Sequence, residues 1–156
     1  MPTGEFPTIG IKLSLMRRLA NELGADGTTT DLCVKIALVK TSERKCSLAD
    51  LLKEQFPNEL GEATHFVSHA WAYKFADVVD ALEAAMPTLG DADPFFWFDC
   101  ICVNQHASPA LSHEWWSTTF LQSIKRMNHT LFVLIPWRVR FNLGAKLVPR
   151  IEVNQN

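Results

Sequence analysis

Residues 94–99 read PFFWFD, four aromatic side chains in a row closed by an acid. A half-buried strand alternates apolar with polar residues. An unbroken apolar run suits a strand covered on both faces, as inside a parallel sheet. Two runs of the same kind flank it: THFVS at 64–68, leading into His69, and HTLFVLI at 129–135, stopped by Pro136. Between the first two, Phe75, Val78, Val79, Leu82 and Met86 recur at helical spacing, with Asp77, Asp80 and Glu83 left for water. Between the second and third, a polar loop runs through His113, and Trp116, Phe120, Ile124 and Met127 mark another helical face. Strand, helix, strand, helix, strand predicts two right-handed βαβ units, hence an α/β fold around a parallel sheet.

In such sheets ligands gather at the carboxyl ends of the strands. Those ends are Ser68-His69-Ala70-Trp71, the stretch from Asp99 to His106, and Pro136-Trp137. The candidate cluster is therefore Ser68, His69, Trp71, Asp99, Asn104, Gln105, His106, Trp115 and Trp137. Asp99 stands where an open sheet places an acid that holds a ribose, and equally where a side chain caps the following turn. Asn104, Gln105 and His106 either read a polar ligand or fix their own loop. Trp115 and Trp116 open the next helix, one to pack inward and the other to cover the loop.

Outside residues 63–137 the pattern changes. Residues 1–62 read as a helical N-terminal extension. Leu15, Met16, Leu19 and Leu23 share a helix that Gly24 stops. Thr30 caps a second helix carrying Leu32, Ile36 and Val39, and Ser47 with Asp50 forms a capping pair for 48–55, which Pro57 ends. Residues 138–156 show weak periodicity and scattered charge, as an irregular tail would.

Composition narrows the function classes. The 156 residues are 47% hydrophobic and 21% charged, ordinary for a globular chain and wrong for a disordered or collagen-like one. With 15 basic against 17 acidic side chains there is no nucleic-acid signature, and Arg138, Arg140, Lys146 and Arg150 read as a solvated end. No signal pattern and no membrane-length apolar run occur, so a soluble, cytoplasmic protein is expected, without membrane or nucleic-acid partners. Cys33, Cys46, Cys100 and Cys102 lack C-x-x-C or Cys/His ligand spacing, so no metal is expected and free thiols are. On a strand, Cys100 and Cys102 point to one face. A couple of Cys102 with His69, His106 or His129 is not selected by any spacing. No G-x-S-x-G surrounds Ser68, and no glycine-rich phosphate loop exists.

The segment Trp97-Phe98-Asp99-Cys100-Ile101-Cys102-Val103-Asn104-Gln105 resembles the heterokaryon-incompatibility signature Trp-Ile-Asp-Ala-Leu-Cys-Ile-Asn-Gln, agreeing at Trp97, Asp99, Cys102, Asn104 and Gln105. The wider arrangement is similar to the TIR (Toll/interleukin-1 receptor homology) superfamily. Phe66-Val67-Ser68-His69 matches its first strand end and Phe98-Asp99 its second. Across 61–137 the chain resembles TIR-like domains of algal and oomycete proteins, which carry Phe-Val-Ser-His-Ala-Trp, Trp-Phe-Asp…Val-Asn-Gln-His, Glu-Trp-Trp and a strand ending Pro-Trp.

The resemblance implies a flavodoxin-like, three-layer parallel sheet used for signalling by self-association, with NAD cleavage in some members. The chain also departs from the family. The helix bearing the family's catalytic glutamate within Trp-Cys-x-x-Glu does not follow Trp137, and Glu152 stands in the wrong context. The last two strands are not expected either, which leaves an incomplete, truncated sheet of three strands with an apolar edge. The expected function is thus a TIR-like interaction module, catalytically incompetent and without a cofactor. The alternative is an NAD glycohydrolase, with NAD as substrate, Ser68, Trp71 and Asp99 lining the nicotinamide-ribose site, and Glu114 as substitute acid.

Overall fold

A computed structural model describes residues 7–108, 114, 118, 121–135 and 150–155. Its strands are β1 (Ile9–Ile11), β2 (Leu60–Glu62), β3 (His65–Ser68), β4 (Phe96–Trp97), β5 (His129–Leu134) and β6 (Arg150–Gln155). They join one sheet in the order β2-β1-β4-β3-β5-β6. The three strands read as parallel lie at its centre: β3 pairs in parallel with β4, Phe66 opposite Trp97, and with β5, Val67 opposite Leu131.

The fold is α/β as expected, but the sheet is mixed and larger than three strands. Residues 1–62, read as purely helical, also supply β1 and β2. Antiparallel pairing joins β1 to β4 through Ile11 and Phe96, and β2 to β1 through Gly10 and Gly61. The tail, read as irregular, supplies β6, which pairs antiparallel with all of β5 from His129–Gln155 to Leu134–Arg150. The apolar edge expected beyond the third parallel strand is therefore closed by backbone hydrogen bonds.

The glycines of the β1–β2 pair have a steric reason. A Cβ on Gly10 would stand 2.9 Å from the Ala63 Cα, and one on Gly61 2.8 Å from the Phe95 ring. Phe95 lies over this pair, where only hydrogen atoms leave room.

The helices are α1 (Leu13–Leu23), α2 (Thr29–Asp31), α3 (Leu38–Lys40), α4 (Leu48–Gln55), α5 (Phe75–Ala85), α6 (Asp99–Cys102) and α7 (Leu121–Ile124), with a π-helical stretch, Leu32–Ala37, joining α2 to α3. Leu15, Met16 and Leu19 bury one face of α1, and Gly24 ends it at φ 90°. Helix α1 packs on α5. There Arg17 binds Glu83 through two nitrogens (2.9 and 2.7 Å) and Asp80 (2.5 Å), so two acids expected to face water alone are partnered. The Ser47–Asp50 capping box of α4 is present as read.

The cap of α2 is Thr28 rather than Thr30. Its hydroxyl accepts from the Asp31 N–H (3.1 Å), and the Asp31 carboxylate accepts from the Thr28 N–H (2.9 Å). The π-helical stretch inserts a residue and rotates later positions by roughly 100°. Val39, placed on the core face by a regular period, is consequently 61% exposed.

Strand β4 is only two residues long. The Phe98 carbonyl accepts from the N–H groups of Ile101 (3.0 Å) and Cys102 (2.8 Å), so the chain turns helical at once. Cys100 and Cys102 lie buried on that turn and not on a strand. Trp97, Phe96, Phe98, Phe75, Ile101 and Leu131 form the fully buried centre.

Candidate functional site

The ends of β3 and β4 bring His69, Trp71 and Asp99 together, with Ser68 next to them along β3. Asp99 is the first residue of α6, where one carboxylate oxygen accepts the Cys100 N–H (2.7 Å); the N-cap position itself is Phe98, without a side-chain cap bond. The other oxygen accepts the indole N–H of Trp71 (2.7 Å). Trp71 remains 37% exposed, so this pair lies at the protein surface.

His69 sits beneath it, its side chain only 2% exposed and stacked on Phe98 with ring centroids 4.1 Å apart. Its Nε2 stands 3.7 Å from an Asp99 oxygen, beyond hydrogen-bond length, and neither ring nitrogen has a hydrogen-bond partner. Burial pushes the His69 pKa down, outweighing Asp99 and the Val67 backbone, which pull it up. The contact is therefore a neutral imidazole beside a carboxylate, not an ion pair. Ser68 is half-buried and stands in register with Phe132 of β5.

The polar loop after α6 is bonded to the N-terminal segment. The Gln105 amide donates to the carbonyls of Asp99 (3.0 Å) and Val103 (3.2 Å), and its oxygen accepts from the Cys33 thiol (3.7 Å). Asn104 donates to the Lys45 carbonyl (2.6 Å) and accepts the His106 N–H (3.0 Å). His106 Nε2 lies 2.9 Å from the Thr41 hydroxyl. That hydroxyl donates its one hydrogen to the Ala37 carbonyl (2.6 Å), so His106 carries its proton on Nε2 and donates it. Of the two readings open for these three residues, fixing the loop matches these contacts.

The loop after β3 is sewn to the same segment. The Trp71 carbonyl accepts from the Thr30 N–H (3.1 Å) and hydroxyl (3.2 Å), the Tyr73 carbonyl from the Thr29 N–H (3.0 Å), and Lys74 pairs with Asp26 (2.6 Å). Thr41 and Lys45 thus belong to the site although no motif singled them out, and so do Cys33, read only as a free thiol, and Thr30, read only as a helix cap. Thr28-x-x-Asp31 was the available signal for the cap. Lys45, at φ 51°, has none.

Nucleophilic thiol chemistry is disfavoured by burial. The Cys102 thiol is pushed up to about 12 by desolvation, the Cys100 thiol well above its ordinary value, and Cys33 is raised by burial and Asp99. Glu114 is exposed, and its carbonyl accepts from the Thr118 hydroxyl (2.7 Å). Trp115 and Trp137 lie outside the described residues. Among the described residues no group of three or more His, Cys, Asp or Glu is placed to hold a metal ion, and no helix is long and apolar enough to cross a membrane. No protein-family model, curated protein or solved structure matches the chain.

Proposed function

We propose that this chain is a cytoplasmic TIR-like module with a flavodoxin-like core, acting by protein–protein association, self-association foremost, and not by cleaving NAD. The central order β4-β3-β5 is the second-first-third order of doubly wound, flavodoxin-like sheets, which supports the core assignment. One observation carries the functional reading. Four polar side chains after the strand ends are spent on internal bonds: Asn104, Gln105 and His106 on the N-terminal segment, Asp99 on Trp71 and its own helix turn. Val34 (54%) and Val39 (61%) on the neighbouring helical segment leave apolar surface for a protein partner.

A second reading, NAD glycohydrolase, is favoured by one feature. The Trp71–Asp99 pair stays partly open where such sheets bind ligands. Incubating the chain with NAD at high protein concentration separates the two. Concentration-dependent oligomers by light scattering without nicotinamide release are expected. Nicotinamide release abolished by Glu114→Ala overturns the association reading.

A further inference from the structure

At the amino-terminal ends of the strands, opposite the carboxyl-end cluster, His65 of β3 and His129 of β5 are register partners in a parallel pair. Directly paired residues point to the same face of a sheet. Their rings stack accordingly, with centroids 5.0 Å apart and planes 12° from parallel. His65 is completely buried, with Phe96 on its other side at 5.8 Å. Its Nδ1 lies 2.8 Å from the Thr64 hydroxyl, but its Nε2 has no hydrogen-bond partner, and neither has Nδ1 of His129.

A neutral imidazole tolerates one bare nitrogen. An imidazolium carries a proton on both, so protonated His65 would hold an unpaired, charged donor in a dry place beside a second titratable ring. Burial and His129 push the His65 pKa below its ordinary value, and the field of Asp91 only partly offsets them. The other charges on neighbouring elements give little relief. Lys12 and Asp93 pair with each other (2.8 Å), Asp80 and Glu83 of α5 hold Arg17, and Lys125 and Arg126 ahead of β5 add positive charge.

We propose that the stacked His65–His129 pair is an acid-sensitive joint: uptake of a proton by the buried His65 ring beside His129 loosens β5, and β6 with it, from β3. The pair stands at the first rung of the β3–β5 ladder, next to the bond from the Asn128 N–H to the Thr64 carbonyl (2.9 Å), so repulsion there frays the ladder from its end. Among the described residues β6 pairs with β5 alone, and it leaves with that strand. The unfolded chain takes up the proton more readily than the folded one. The stabilisation is therefore complete above the ordinary histidine value of 6.5 and is lost as the pH falls from there through the lower value of the folded ring.

The test is residue-resolved amide exchange, corrected for intrinsic rates, near pH 7.5 and near pH 5, on the wild-type chain and on His129→Phe, which keeps a ring in the stack but cannot titrate. On acidification the opening constants of β5 and β6 are expected to rise about tenfold more than those of α1, and this excess to shrink at least about threefold in the variant. His69, also held neutral, acts in both proteins and cancels in the comparison. Opening of β5 and β6 that follows α1 at both pH values overturns the proposal, as does an equal excess in the variant. So does an NMR titration of the wild type in which the His65 ring is protonated at or above pH 6.5 with the β3–β5 ladder still protected.

Discussion

Replacing Asn104 with alanine separates a loop clamp from a ligand reader. In the folded chain the Asn104 side chain makes two hydrogen bonds, to the Lys45 carbonyl at 2.6 Å and from the His106 N–H at 3.0 Å. Each neutral bond contributes about 0.5–1.5 kcal/mol net, and the abandoned carbonyl and N–H are near enough to water to find another partner. The loss is therefore about 1–2 kcal/mol, roughly 3–6 °C in Tm for a chain of this size. Asn104→Asp keeps the acceptor for His106 but sets a carboxylate against the Lys45 carbonyl, so it does not restore the wild-type value. Urea unfolding followed by tryptophan fluorescence reads both variants. Amide exchange then locates the loss, which is expected in residues 33–45 and 103–108 before the central strands. A residue held ready for a ligand behaves oppositely, because its removal is neutral or stabilising. Unchanged or raised stability of Asn104→Ala would refute the clamp.

Two further outcomes follow from the packing. Gly10→Ala drives a methyl to 2.9 Å from the Ala63 Cα and 3.0 Å from the Phe95 Cβ, and is expected to cost about 1–3 kcal/mol in urea unfolding. A variant as stable as the wild type would mean that the β1–β2 pair is not seated against Phe95. Alkylation by iodoacetamide at neutral pH, read by peptide mass spectrometry, should modify the half-buried Cys46 while Cys100 and Cys102 stay silent until the chain unfolds. Native-state labelling of Cys102 at the rate of Cys46 would contradict its burial.

Much of the centre of the fold is legible along the chain, because it rests on local patterns long enough to show a period. The runs at 64–68 and 129–135, the apolar stripe of α5 and the Ser47–Asp50 box of α4 all fall where the residues put them. The outer strands are not legible in the same way. β1 and β2 are three residues each and pair across some fifty positions, so neither carries a measurable alternation. β6 does alternate Ile151 and Val153 with polar neighbours, a signal outweighed by the charge of the surrounding tail.

The candidate site divides along the same line. That His69, Trp71 and Asp99 meet follows from the order of the strands, since parallel neighbours end on the same side. That Asn104, Gln105 and His106 serve a clamp depends on Cys33, Thr41 and Lys45, about sixty to seventy residues away. Their contacts have no counterpart in spacing.

By itself the order of residues determined an α/β chain with three central parallel strands, the helices between and before them, and an aromatic core, because apolar runs and helical amphipathicity are written in consecutive side chains. Strand β5, read as buried on both faces, instead leaves Phe132 and Leu134 exposed on one. Only the tertiary structure decided that both flanking segments enter the same sheet, that the polar loop is tied down and not open, and that two histidines 64 positions apart share one rung. Those outcomes rest on long-range register, which is chosen by the free energy of the whole sheet and leaves no mark within any one stretch.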